Sequence, residues 1–220
     1  MKPIIALNLK TYPESLGRKG HALVQIAKGV SRETGVRVIV APQFVDLTDA
    51  AGFYKDVFAQ HVDFEEPGAH TGTVSVESIH AAGCAGSLVN HSERRIGDAA
   101  IGSAVARLRD CRLESMLCTK DAAESAILAK FKPTFIAVEP PELIGSGISV
   151  STAKPDVVSG TVDAVAEVNK TPVLCGAGVT TPGDVRRAIE LGAKGVLLAS
   201  AFIKSPDPKK LLLEMAEEIG

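Results

Sequence analysis

Eight times along the 220-residue chain, a short aliphatic or β-branched run gives way to a stretch whose apolar residues take helical spacing. The runs fall at 4–8, 36–41, 57–60, 86–90, 114–118, 134–139, 172–175 and 195–199. Several, including Val38-Ile39-Val40 and Ile136-Ala137-Val138, are apolar without alternation. Strands of a parallel sheet, covered on both faces, need that pattern. No Pro/Gly/Ser linker interrupts the series, so it predicts an α/β fold with a single closed (β/α)8 barrel over residues 1–220. The weaker third and eighth runs leave an open doubly wound sheet as the alternative.

The intervening stretches carry their own signals. Leu23, Ile26, Ala27 and Val30 share one helix face, and Gly35 follows as a stop. Val162, Val165 and Ala166 form another apolar face. Thr181-Pro182-Gly183-Asp184 reads as a capping box with proline at the first helical position, ahead of Val185, Ala188 and Ile189 and a stop at Gly192. Leu211, Leu212, Met215, Ala216 and Ile219 predict a closing amphipathic helix.

Composition excludes several classes of function. A formal charge of −2 offers no basic field for nucleic acid, and Lys209-Lys210 beside Asp207 reads as a helix start. Four cysteines, at 84, 111, 118 and 175, lack metal-ligand spacing and read as reduced, mostly buried thiols of a cytoplasmic protein. No metal or other cofactor is expected. Pro3-Ile4-Ile5-Ala6-Leu7 is too short for a signal peptide or a membrane span. With no tryptophan, an aromatic platform for bases or sugars is not expected.

Barrels of this class build their sites at the C-terminal ends of the strands. Asn8 and Lys10 end the first run, Gln60 and His61 the third, and His91 the fourth, where Ser92, Glu93, Arg94 and Arg95 follow at once. If extended geometry continues, Asn8 and Lys10 point the same way. Glu139 leaves an apolar strand partly desolvated, with Pro140-Pro141 stiffening the exit and Gly145-Ser146-Gly147 freeing the return, the pattern of a hinged lid. Gly176-Ala177-Gly178 after the seventh run and Ala199-Ser200 after the eighth supply backbone N–H groups for a phosphate, the latter from a helix N-terminus. One carboxylate, one imidazole, one ammonium and a phosphate nest point to proton abstraction α to a carbonyl on a small phosphorylated substrate. A Schiff-base aldolase, an indole-forming lyase and a non-catalytic sugar-phosphate-binding barrel are the competing readings.

At these motifs the chain resembles the triosephosphate isomerases. His91-Ser92-Glu93-Arg94-Arg95-Ile96-Gly97 is similar to the family's histidine motif, and Asn8-Leu9-Lys10 to its N-terminal Asn-x-Lys. Val138-Glu139-Pro140 with Ile144-Gly145-Ser146-Gly147 resembles the catalytic glutamate and its lid, and Gly68-Ala69-His70-Thr71-Gly72 the loop that members push into a neighbouring subunit. The resemblance implies interconversion of dihydroxyacetone phosphate and D-glyceraldehyde 3-phosphate in glycolysis and gluconeogenesis, without cofactor. It implies Glu139 as base, His91 as neutral electrophile, Lys10 as substrate-binding cation, Asn8 as positioning residue and Glu93 as a neighbouring carboxylate. A neutral histidine at a helix N-terminus is a pattern for which this family is itself the standard case. Ile144, Gly145, Gly176, Ala177, Gly178, Ala199 and Ser200 would surround the phosphate.

The departures are specific. Pro141-Glu142-Leu143 stands where many members have Val-Trp-Ala, and Cys175-Gly176-Ala177-Gly178 where most have Tyr-Gly-Gly-Ser, so the side chains that usually latch the lid are absent. The short chain resembles the compact archaeal branch, which implies a homotetramer in preference to a dimer, with the Thr71 loop at an interface.

Overall fold

The structure, a computed structural model, describes residues 2–143 and 149–219. Its strands are β1 (Ile4–Asn8), β2 (Arg37–Ala41), β3 (Phe58–Ala59), β4 (Gly86–Val89), β5 (Glu114–Thr119), β6 (Phe135–Val138), β7 (Val173–Gly176) and β8 (Gly195–Leu198). They are hydrogen-bonded in the order β2-β1-β8-β7-β6-β5-β4-β3, parallel throughout. One parallel bridge, Val40 with Val57, joins the two ends and closes the ring. The fold is a (β/α)8 barrel, and the open-sheet alternative is set aside.

Alternation along each strand divides the core in two. Ile4 and Ala6, Ile39 and Ala41, Phe58, Leu88, Met116 and Cys118, Phe135 and Ala137, Leu174 and Leu197 form one buried cluster inside the ring. Their neighbours Ile5, Leu7, Val38, Val40, Val89, Leu117 and Val196 join the larger cluster under the helices. Each such side chain, fully buried, contributes about 1.5–3 kcal/mol. The third run is the main difference from expectation. β3 holds two residues, and Gln60 lies beyond it because its side-chain amide donates to the carbonyls of Lys10 and Ala41, both at 3.0 Å.

The helices are α1 (Arg18–Thr34), α2 (Leu47–Phe53), α3 (Val76–Ala81), α4 (Asp98–Asp110), α5 (Ala122–Ala129), α6 (Val150–Ala153), α7 (Pro155–Val168), α8 (Pro182–Glu190), α9 (Ser200–Ile203) and α10 (Pro208–Glu217). α1 stops at Gly35, which takes φ +72° and returns its N–H to Ser31 O. α8 opens with the expected capping box, Thr181 and Asp184 bonding each other's backbone N–H. Asp207 caps α10 by accepting the Lys210 N–H, so the lysine pair marks a helix start. In α7 the buried stripe is Val158, Thr161 and Val165, and Ala166 is exposed, contrary to expectation. The three buried positions lie along a single 3–4 ridge, and Ala166 falls a residue past it.

At the N-terminal end of the barrel, Arg37 from β2 donates to Asp56 just before β3 (2.7 Å) and to both carboxylate oxygens of Glu114 on β5. Burial would lower the guanidinium's pKa, but the hydrogen bonds and charges of Glu114 and Asp56 more than reverse it. This pairing spans the side of the ring where strand pairing is thinnest. Among the described residues, no helix is long and apolar enough to cross a membrane.

Candidate active site

The strand phase that fills the barrel also aims its last polar residues. Asn8 continues Ile4-Ala6, Asn90 continues Leu88, and Glu139 continues Phe135-Ala137, so all three turn toward the C-terminal mouth. Lys10 arrives differently. Extended geometry breaks there: Lys10 takes φ +47°, and Asn8 Oδ1 accepts its backbone N–H at 3.0 Å. This local side-chain turn, and not strand alternation, brings Lys10 over the mouth beside Asn8.

The mouth holds a small cavity lined by Asn8, Lys10, His91, Glu139 and residues of the loops after β7 and β8. Lys10 Nζ bonds Glu93 Oε1 at 2.7 Å. The side chains of His91 and Glu139 are each 7% exposed, and His91 Nε2 lies 3.5 Å from Glu139 Oε2. On its other side, His91 Nδ1 accepts the Glu93 backbone N–H at 3.2 Å. A ring nitrogen that accepts carries no proton, which assigns the neutral tautomer with its proton on Nε2, facing the cavity. The ring caps a single 3-10 turn, Ser92–Arg94.

Glu139 Oε2 is buried without a hydrogen-bond partner among the described residues. A buried carboxylate oxygen left so is costly unless something else is to occupy the space before it. Room for the side chain comes from β7, because a Cβ at Gly176 would overlap Glu139 Cγ and sit 3.1 Å from its Cδ. Gly176 therefore makes space for the carboxylate and does not line the cavity, whereas Ala177 and Gly178 do, both in left-handed conformation (φ +69° and +68°). Neither Gly178 nor Val179 has a protein acceptor for its backbone N–H among the described residues. Ala199 and Ser200 also line the cavity, at the start of α9. That helix has four residues, so it can offer individual N–H groups but little macrodipole. Ile144 and Gly145, with the rest of the expected lid return at 145–147, lie outside the described residues.

Other polar residues of the same motifs lie elsewhere. His61 turns away to Asp63 at 2.9 Å, and Arg94 approaches the same carboxylate at 3.8 Å. Arg95 pairs with Glu124. Burial, and then the charge of Glu139 beside it, push the Cys118 thiol well above its ordinary pKa, so it stays protonated. Among the described residues, no group of three or more His, Cys, Asp and Glu could hold a metal ion.

A family model described as triosephosphate isomerase matches residues 3–218. The chain belongs to the triosephosphate isomerase family. It is 49% identical to the triosephosphate isomerase of Methanothermus fervidus over 220 residues, 99% of each chain. It is 46% identical to that of Methanocaldococcus jannaschii, covering 98% of this chain and all of the relative. The crystal structure of triosephosphate isomerase from Bartonella henselae superposes with a TM-score of 0.76 over 99% of both chains at 20% identity, a likeness of fold.

Several further residues shape the mouth of this triosephosphate isomerase family member. Tyr12 and Thr180 line the cavity. Asn90, fully buried at φ +61°, donates to Cys118 O (3.1 Å) and accepts from Ile96 N–H (3.0 Å), fixing the loop that carries His91. The signal for Asn90 was available, since it shares the inward phase of Leu88. Tyr12 and Thr180 have no such periodic signal, because they sit in loops.

Proposed function

We propose that the chain interconverts dihydroxyacetone phosphate and D-glyceraldehyde 3-phosphate by proton transfer, with Glu139 as the base. The observation that carries this reading is a buried Glu139 Oε2, without a hydrogen-bond partner among the described residues, facing His91 Nε2 at 3.5 Å in one cavity with Lys10. The phosphate is held by backbone N–H groups at Ala177–Gly178 and Ala199–Ser200, with Lys10 supplying a positive charge. Glu139 takes the proton from the carbon next to the carbonyl, and the electron pair moves onto the carbonyl oxygen. The His91 Nε2–H and the Lys10 ammonium face the oxygens on which that charge develops. The hydroxyl proton passes to the former carbonyl oxygen by way of His91, and the Glu139 carboxyl, whose proton exchanges with solvent, delivers a proton to the adjacent carbon, so the reaction conserves atoms and needs no cofactor. Asn8 holds the turn that aims Lys10, and Glu93 holds its ammonium and the His91 ring.

The test is a coupled assay with glyceraldehyde 3-phosphate for wild type beside Glu139→Asp, without added metal. Fast turnover that collapses in the variant supports both the reaction and the base. A wild type that binds phosphate but does not turn over is a sugar-phosphate-binding barrel instead.

The same reading extends to a cytoplasmic homotetramer of the glycolytic and gluconeogenic enzyme. Support for association comes from apolar side chains left exposed beside the mouth: Leu16, Phe44, Val45 (87% exposed) and Phe64. The exposed Thr71 loop springs from a neck where Asp63 and Val74 bond reciprocally, both at 2.8 Å, a fixed stem suited to entering a neighbouring subunit. Light scattering should give the mass of four chains; the mass of one chain would overturn the assembly.

A further inference from the structure

The side chains that usually latch the glutamate's loop onto the loop after β7 are absent from Cys175-Gly176-Ala177-Gly178. Another set of contacts joins the same two regions. Val150 N–H donates to Ala177 O at 3.3 Å, where the chain returns after the glutamate's loop. The Ser151 hydroxyl, fully buried, donates to the backbone carbonyl of Asp184 at 3.1 Å and lies 2.8 Å from the Ser149 hydroxyl. Thr152 Oγ1 donates to Asp184 Oδ1 at 3.3 Å. The Val150, Ser151 and Thr152 bonds reach the loop after β7 or the first turn of α8.

Asp184 is 9% exposed, and its Oδ2 faces four donors. They are Thr180 N–H (3.0 Å), Thr180 Oγ1 (3.2 Å), Thr181 N–H (2.9 Å) and Thr181 Oγ1 (2.9 Å). A capping box accounts for the exchange with Thr181 alone. The two bonds from Thr180, which lines the cavity, and those from Ser151 and Thr152 lie outside it. They draw the Thr180 and Thr181 N–H groups inward, while Gly178 and Val179 line the cavity with no acceptor for their N–H groups among the described residues. Burial alone would raise the carboxylate's pKa, but the Thr180 and Thr181 bonds hold it below the ordinary value, so Asp184 is charged and each bond is charge-assisted.

We infer that Asp184 is a positioning residue for phosphate binding: it sets the 177–181 turn and fastens it to the 149–153 segment, replacing the missing latch. This rests on reading the turn as the phosphate subsite.

The test uses the full chain, inorganic phosphate by titration calorimetry, and steady-state kinetics on the triose phosphates. Asp184→Asn should weaken phosphate binding about tenfold and raise KM similarly, with kcat changed by less than about threefold, as the loss of several charge-assisted bonds at one turn predicts. Asp207→Ala, which removes the cap of α10 and belongs to neither the 177–181 turn nor the 149–153 segment, should lower Tm comparably while phosphate affinity stays within about twofold. Should Asp184→Asn fail to fold, Thr152→Val decides, with an expected weakening of about threefold. Unchanged phosphate affinity and KM in the variants that fold would reduce Asp184 to a helix cap and overturn the inference. A wild type that binds phosphate in an Asp184-dependent way without isomerising triose phosphates would refute the proposed reaction and leave the inference standing.

Discussion

At the N-terminal end of the barrel, Arg37 meets Asp56 and Glu114, and the three close on one another across β2, β3 and β5. At the C-terminal mouth the same kinds of residue are gathered, but the pairing is incomplete. Lys10 has Glu93, whereas among the described residues Glu139 keeps one buried oxygen without a hydrogen-bond partner, and His91 Nε2 lies 3.5 Å from it. One end uses its charges to hold the strands together, and the other, in the proposed reading, keeps them for a ligand. A barrel can carry the second end because its core and its closed end are satisfied elsewhere.

The sharpest way to break the comparison is at Glu139. Glu139→Asp should lower kcat by about 10²–10⁴-fold, since shortening the side chain spoils reach while keeping charge. Tm should barely move, because among the described residues Glu139 Oε2 has no hydrogen-bond partner to lose. Next, Lys10→Met should lower kcat/KM by about 10²–10³-fold through both KM and kcat, the cost of removing one electrostatic donor. Unchanged steady-state constants would make Lys10 a surface residue. Gly176→Ala should lower kcat by about 10–100-fold with smaller change in KM, because the new methyl displaces the Glu139 side chain.

The closed end should behave in the opposite way. Arg37→Met should cost about 2 kcal/mol of stability, or a Tm drop of about 4–8 °C, and leave kcat at 25 °C near wild type. An activity loss without a stability loss would erase the division between the two ends. The smallest effect concerns pH. Burial holds the His61 imidazole below its ordinary value of 6.5, against the pull of Asp63. The unfolded chain therefore takes up that proton first, so stability is full above pH 6.5 and falls as pH drops through the folded value. His61→Gln should flatten the Tm-against-pH curve over that window by a degree or two, about what a fraction of a kcal/mol gives.

Much of this was legible in the chain. Parallel strands buried on both faces leave runs such as Val38-Ile39-Val40, and Thr181 to Asp184 spells out a helix start. The place of Glu139 and His91 at the mouth was readable because they end such runs. The third strand was overcounted, since Gln60 fits the hydrophobic run's spacing but spends its amide on Lys10 and Ala41 carbonyls from another part of the ring. Lys10 reaches the mouth by a route that strand alternation does not encode, through the Asn8 bond and a positive φ. Asp184 showed as a helix cap, but its links to Thr152 and Ser151 join segments about thirty residues apart and leave no local pattern. Gly-Ala-Gly announced a close backbone approach without revealing that the first glycine makes room for the glutamate.

The most direct test of the central claim is turnover of dihydroxyacetone phosphate in D2O, following carbon-bound deuterium in the aldehyde product for wild type and Glu139→Asp. Proton abstraction by Glu139 predicts deuterium at C2 of glyceraldehyde 3-phosphate in wild type, with formation of labelled product suppressed in step with kcat in the variant. Wild-type product free of solvent hydrogen, or labelling that proceeds at full rate in Glu139→Asp, would contradict it.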